Sequence, residues 1–220
     1  MKYHIDAKQI NLDDLRKRIE NTDLVPSRMT LLEGIEKNFK VFNAAGIKNL
    51  ADLRYELKNA KRLETLVDKS GVDKEYLILL RREIEGYFPK SIPLKKFDWL
   101  PLQEIEKLEQ HGIGKAAALF ETTRTPKDVT ELQKSTSIDD PILKTLMILI
   151  DLTRIQWVSP LAARMLMDAG YNSVKEVAAA DPEVLCEDLV RINEGDQYFK
   201  GKIGLRDIKR LIHAAGYLAR

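Results

Sequence analysis

The stretch Asp151–Leu189, DLTRIQWVSPLAARMLMDAGYNSVKEVAAADPEVLCEDL, decides how this chain is read. Ser159-Pro160 is a helix start: the serine oxygen can accept from the first free N–H groups, and proline loses nothing at the first helical position. Ala163, Leu166 and Ala169 then recur at the three-to-four spacing of one helix face. Gly170, between Ala169 and Tyr171, can take the left-handed backbone that ends a helix. Ser173 and Glu176 have capping-box spacing and open a second helix; Asp181-Pro182 opens a third. The expected motif is short helix, tight turn, short helix.

The same turn recurs upstream, at Gly46 in Ala45-Gly46-Ile47 and at Gly112 in His111-Gly112-Ile113. With the three glycines aligned, Phe42, Leu108 and Leu166 stand four residues before, and Phe39, Ile105 and Ala163 seven before. Leu50, Ala116 and Val174 stand four after, and Leu53, Leu119 and Val177 seven after. Apolar residues at those offsets form one helix face on each side of a corner. A second half-unit follows. Gly71 aligns with Ser137, bringing Leu63/Leu66 beside Val129/Leu132 and Val72, Leu77, Leu80 and Ile84 beside Ile138, Leu143, Leu146 and Ile150. The third copy is looser, with Ile203, Ile208 and Leu211 after a glycine-containing connection, Asn193–Lys202.

The unit is therefore helix–turn–helix, helix–turn–helix, in about three copies. Residues 1–30 are expected as an arm and a helix capped by Asn11 and broken at Val25-Pro26-Ser27. Units 31–90, 97–152 and 153–220 follow, with Tyr87–Pro93 as a linker and Thr125-Pro126 and Asp140-Pro141 as further helix starts. No segment keeps a period-two alternation, so the fold class is all-α with essentially no sheet.

Composition sets outer bounds. Among 220 residues, 36 Lys and Arg against 34 Asp and Glu leave a formal net charge of +2, only mild support for a nucleic-acid partner. A single cysteine, Cys186, excludes an internal disulfide and a cysteine-based metal cluster. No apolar run reaches the roughly 18 residues a membrane span needs, and the N-terminus lacks a signal-peptide core, so a cytoplasmic protein with no membrane partner is expected. His4, His111 and His213 lack ligand spacing, and Asp13-Asp14 and Asp139-Asp140 sit where helix capping explains them. No enzyme, metal or cofactor is expected.

These residues resemble the helix-hairpin-helix superfamily, and in particular the bacterial family known as domain of unknown function four-three-three-two. The carriers are Asp151-Leu152-Thr153-Arg154-Ile155 running into Trp157-Val158-Ser159-Pro160, then Ala169-Gly170-Tyr171, Val174, Val177, Asp181-Pro182 and Asn193. Leu32-Glu33-Gly34-Ile35 and Ala45-Gly46-Ile47 carry it in the first unit. The resemblance spans about 29 to 217 and implies tandem helix-hairpin-helix units of the SAM/polymerase-beta N-terminal-like kind. Modules of this superfamily usually bind duplex DNA without reading sequence, through a Gly-apolar-Gly hairpin whose bare N–H groups touch a phosphate. Here two hairpins depart from that pattern. They read Gly34-Ile35-Glu36, with a carboxylate that repels phosphate, and Trp157-Val158-Ser159, with an indole that covers the backbone.

Two stretches remain as candidate phosphate contacts. Gly112-Ile113-Gly114-Lys115 is an intact hairpin pattern, although its first glycine also fills the corner position of Gly46 and Gly170. Lys200, Gly201, Lys202, Gly204, Arg206, Lys209 and Arg210 combine glycine-freed backbone with five cations against Asp207; no Ser or Thr follows Lys202, so this is not a Walker loop. Trp99 and Trp157, at equivalent starts of units two and three, are expected to plug cores or seams. The functional expectation is a non-enzymatic module binding DNA or other nucleic-acid backbone independently of sequence. The alternative is a protein-interaction scaffold with degenerate hairpins; oligomeric state is left open.

Overall fold

The computed structural model describes residues 2–195 and 197–219. Among these there is no strand, only isolated bridges pairing Asn11 with Asn49 and Pro93 with Lys115. The chain divides into two compact units, residues 5–88 and residues 2–4 together with 89–219.

In the 5–88 unit, α1 (Leu12–Asn21) leads through a 3-10 turn (Pro26–Leu32) to α2 (Ile35–Ala44), α3 (Leu50–Glu56), α4 (Ala60–Ser70) and α5 (Lys74–Gly86). Its core gathers Leu15, Ile19, Leu31, Phe39, Phe42, Leu50, Leu53, Leu77 and Ile84. Asn11 caps α1 by accepting from the Asp14 N–H at 2.8 Å. Arg18 is buried, with its guanidinium 3.5 Å from the centroid of the Tyr87 ring.

In the other unit, a 3-10 turn (Leu94–Lys96) precedes α6 (Leu102–Gln110), α7 (Ala116–Thr122), α8 (Pro126–Thr136), α9 (Asp140–Leu152) and α10 (Pro160–Asp168). Then come α11 (Val174–Ala179), α12 (Pro182–Ile192) and α13 (Leu205–Gly216). The apolar α9 packs on α7 and α10, and α13 packs on α11 and α12. Ser159, Ser173 and Asp181 accept from the N–H groups of Ala162, Glu176 and Val184, so each starts its helix as expected. Thr125 and Asp128 form a reciprocal capping box. At the start of α9 the cap position falls on Asp139 and not Asp140, whose carboxylate instead takes the Gln133 amide and Lys144.

Gly46, Gly112 and Gly170 have φ of 88°, 78° and 96°, a region closed to most side chains. The residue after each donates its N–H back into the preceding helix: Ile47 to Phe42, Ile113 to Leu108, Tyr171 to Leu166, at 2.9–3.1 Å. The apolar residues four and seven positions to either side are all buried, none more than 3 % exposed. Removing each from water contributes on the order of 1–3 kcal/mol, which is what holds the corners together.

Tyr87–Pro93, expected as a linker, is in part pinned. The Ile92 carbonyl accepts the Ala116 N–H at 2.8 Å, the Ser91 hydroxyl oxygen accepts the Ala117 N–H at 2.9 Å, and the Leu94 N–H donates to the Gly114 carbonyl at 3.0 Å. Composition marks this stretch as irregular; main-chain bonding then fixes it.

Candidate nucleic-acid interface

A helix start binds an anion only if its own N–H groups are not already taken. After each corner glycine the following helix has a donor four residues on, and all three are occupied. Leu50 N–H bonds the Ile10 carbonyl at 2.8 Å, Ala116 N–H the Ile92 carbonyl at 2.8 Å, and Val174 N–H the Asp151 carboxylate at 2.8 Å.

This bears on Gly112-Ile113-Gly114-Lys115. Gly112 is the left-handed corner that ends α6, and Gly114 passes its carbonyl to Leu94. Lys115 is exposed and bridged to Pro93. Two N–H groups of α7 face Ile92 and Ser91, and a Cβ added at Gly114 would meet the Glu109 side chain at 3.8 Å. Glu109 also pairs with Lys95 at 2.7 Å.

The second stretch is arranged differently. Asn193 organises the loop after α12: its Oδ1 accepts from the N–H groups of Tyr198 and Phe199 at 3.0 and 2.9 Å, and its Nδ2 donates to the Phe199 carbonyl at 2.7 Å. Tyr198 donates its hydroxyl to Asp168 at 2.5 Å; that bond, then partial burial, raises its pKa above the ordinary tyrosine value. Lys200, Gly201 and Lys202 follow, exposed, and neither lysine makes an ion pair among the described residues. Gly204 is the N-cap residue of α13, with no side-chain capping bond.

On α13 the cations are partnered. Lys209 pairs with Glu183 at 3.3 Å, Arg210 pairs with Asp207 at 3.6 Å, and Arg206 is also engaged. The structure therefore gathers Lys200 to Arg210 along one loop and one helix, and leaves Gly112, Gly114 and Lys115 in a corner of another kind. The exposed Lys209–Glu183 pair contributes little and exchanges readily with other anions, while the Arg210 side chain is half-buried.

Trp157, expected as a plug, is a surface residue. Trp99 is partly buried, edge-on to Phe97 at 5.7 Å, as a plug would be. Trp157 is 54 % exposed. Its φ of 70° swings the indole outward, and a left-handed backbone at a bulky residue costs about 1–2 kcal/mol. The guanidinium of Arg210 sits 4.7 Å from its ring centroid. Nothing in the spelling Trp157-Val158-Ser159 gives the sign of that dihedral.

No three His, Cys, Asp or Glu side chains are placed to hold a metal ion among the described residues. No helix among them is long and apolar enough to cross a membrane. Cys186 is partly buried and unpaired.

Helical pairs turned at glycine corners, with no strand among the described residues, define an all-α protein. The family described as Domain of unknown function (DUF4332) matches residues 101–218, and the chain belongs to that family. No curated protein and no solved structure matches it.

Proposed function

We propose that this chain binds the phosphodiester backbone of nucleic acid without reading its sequence, chiefly through Lys200–Gly204 and the first two turns of α13. The corners at Gly46, Gly112 and Gly170 support reading the fold as about three tandem helix-hairpin-helix units. One observation carries the functional reading: two exposed lysines without ion-pair partners among the described residues precede a helix that no side chain caps. The helix starts after the corner glycines, by contrast, donate to the chain's own acceptors.

Backbone binding by a few cations is weak and steeply salt-dependent, because each neutralised phosphate releases counterions. Titrating labelled duplex DNA by fluorescence anisotropy at low and moderate salt should give micromolar binding that fades as salt rises. Changing Lys200 and Lys202 together to Glu should weaken it by about tenfold or more. Absence of binding at low salt, or indifference to both charge reversals, overturns the reading.

A second reading, a protein-interaction scaffold, is favoured by Val184 and Val190, 53 % and 50 % exposed on α12. Stoichiometric capture of one protein with no nucleic acid present would support it.

A further inference from the structure

Trp157 does not act as packing where it stands. It is more than half exposed, and the turn that holds it is made by main chain, the Val158 N–H donating to the Ile155 carbonyl at 3.1 Å. Glycine would take the same dihedral freely, as it does at Gly34. A large flat side chain is thus kept outside, in a backbone conformation it disfavours, where its burial cannot compensate.

Its surroundings point to a ligand class. Arg210 lies beside the ring, and Arg206 stands one turn earlier on the same face of α13. Lys202 and Lys200 continue the positive charge into the loop. Asp207 lies 3.6 Å from Arg210 with a side chain 71 % exposed, and Glu183 faces Lys209 at 3.3 Å. The Lys209–Glu183 pair is solvated on both sides; in the other pair Asp207 is solvated while the Arg210 side chain is 19 % exposed, so it is the carboxylate that can give way to a phosphate. An exposed indole with a guanidinium beside it matches what an unpaired nucleotide offers: a free π-face and, beside it, a phosphate. Duplex DNA offers the phosphate but keeps its base faces stacked.

We propose that Trp157, with Arg210 beside it, is a stacking platform for an unpaired base, so that the 153–219 region prefers single-stranded nucleic acid. This rests on the backbone-binding reading above and names its substrate class.

The test compares a labelled short oligothymidylate with a duplex of equal length, by anisotropy at low salt, using the full chain. The wild type should favour the single strand, with quenching of tryptophan fluorescence. Trp157→Gly, which suits the backbone, should lower single-strand affinity about tenfold, leave duplex affinity unchanged and abolish the quench. Trp157→Phe keeps a ring and should restore most of the affinity. Circular dichroism melting confirms that each variant folds. Equal single-strand affinity in Trp157→Gly and wild type, with duplex binding retained, overturns the platform and leaves backbone binding standing. If the wild type binds neither oligonucleotide, both readings fall.

Discussion

The N–H of Leu50 and the N–H of Val174 stand at the same place in two corners, and each is bonded at 2.8 Å to a different kind of acceptor. At Leu50 the acceptor is the main-chain carbonyl of Ile10, and Ala51 adds a bond to the Ala7 carbonyl. At Val174 it is the carboxylate of Asp151, which also binds Arg154; that guanidinium is 2 % exposed and donates from Nε to the Tyr3 carbonyl at 2.8 Å. One corner is closed by backbone alone, and the other depends on a half-buried carboxylate held by a buried arginine. The difference teaches that the corner requires an acceptor and is indifferent to its source, while the consequence of mutation depends entirely on that source.

Arg154→Ala should break the side-chain version and have the largest effect. It leaves Asp151 without its cation and the Tyr3 carbonyl without a donor, destabilising the 89–219 unit by about 3 kcal/mol. Calorimetric unfolding of the full chain measures this, and a change under about 1 kcal/mol would mean that the pair behaves as an exposed one. In the 5–88 corner no side chain supplies these two acceptors, so no single truncation among residues 7–10 reproduces the effect by this route.

A second pair of turns sharpens the same contrast. After α4, the Ser70 hydroxyl donates to the Leu66 carbonyl and its oxygen accepts the Val72 N–H; after α8, Thr136 does the same with Leu132 and Ile138. Between them lie Gly71 at φ 66° and Ser137 at φ 53°. Only glycine holds that dihedral without strain. Ser137→Gly should therefore stabilise, and Gly71→Ser destabilise, each by about 1 kcal/mol in chemical denaturation. Equal signs for the two would show that the turns are not alike.

The smallest effect concerns acid. Glu104 stands eight residues before Gly112, where Asn38 stands before Gly46. Its hydrogen bond from Lys107, and next that from the Asp139 N–H, lower its pKa below the ordinary carboxylate value. A depressed folded-state pKa contributes stability above the unfolded value that is lost as pH falls through the folded one. Melting temperatures followed downward from pH about 5 should therefore fall more steeply for wild type than for Glu104→Gln. Asn38, having no proton to gain, adds no such slope.

What the sequence disclosed follows from this division. Helix starts are written in side chains, so Asn11, Ser159, Ser173 and Asp181 could be read directly. The corners could be read because left-handed φ selects glycine and buried faces select apolar residues. Ser137 was found by alignment with Gly71, not by its own chemistry. The closures by Ile10 and Ile92 could not be read, since a carbonyl is the same in every residue. Arg154, three residues from Asp151, looks in sequence like a solvated pair; only its burial reveals otherwise. Trp157 was expected inside because tryptophan is apolar, and a dihedral placed it outside. In the candidate interface the clustering of Lys200 to Arg210 was legible from proximity in sequence, and the partners that occupy Lys209 and Arg210 were not.

The bond from Arg154 to Tyr3 joins positions 151 residues apart. Lys2 to His4 belong with residues 89–219, although residues 5–88 come between them. During synthesis Lys2 to His4 leave the ribosome before residues 5–88, and their partner follows only after residues 5–88 have emerged. The 5–88 unit has all its own segments as soon as it is made, whereas Lys2 to His4 wait until residues 89–219 have been translated.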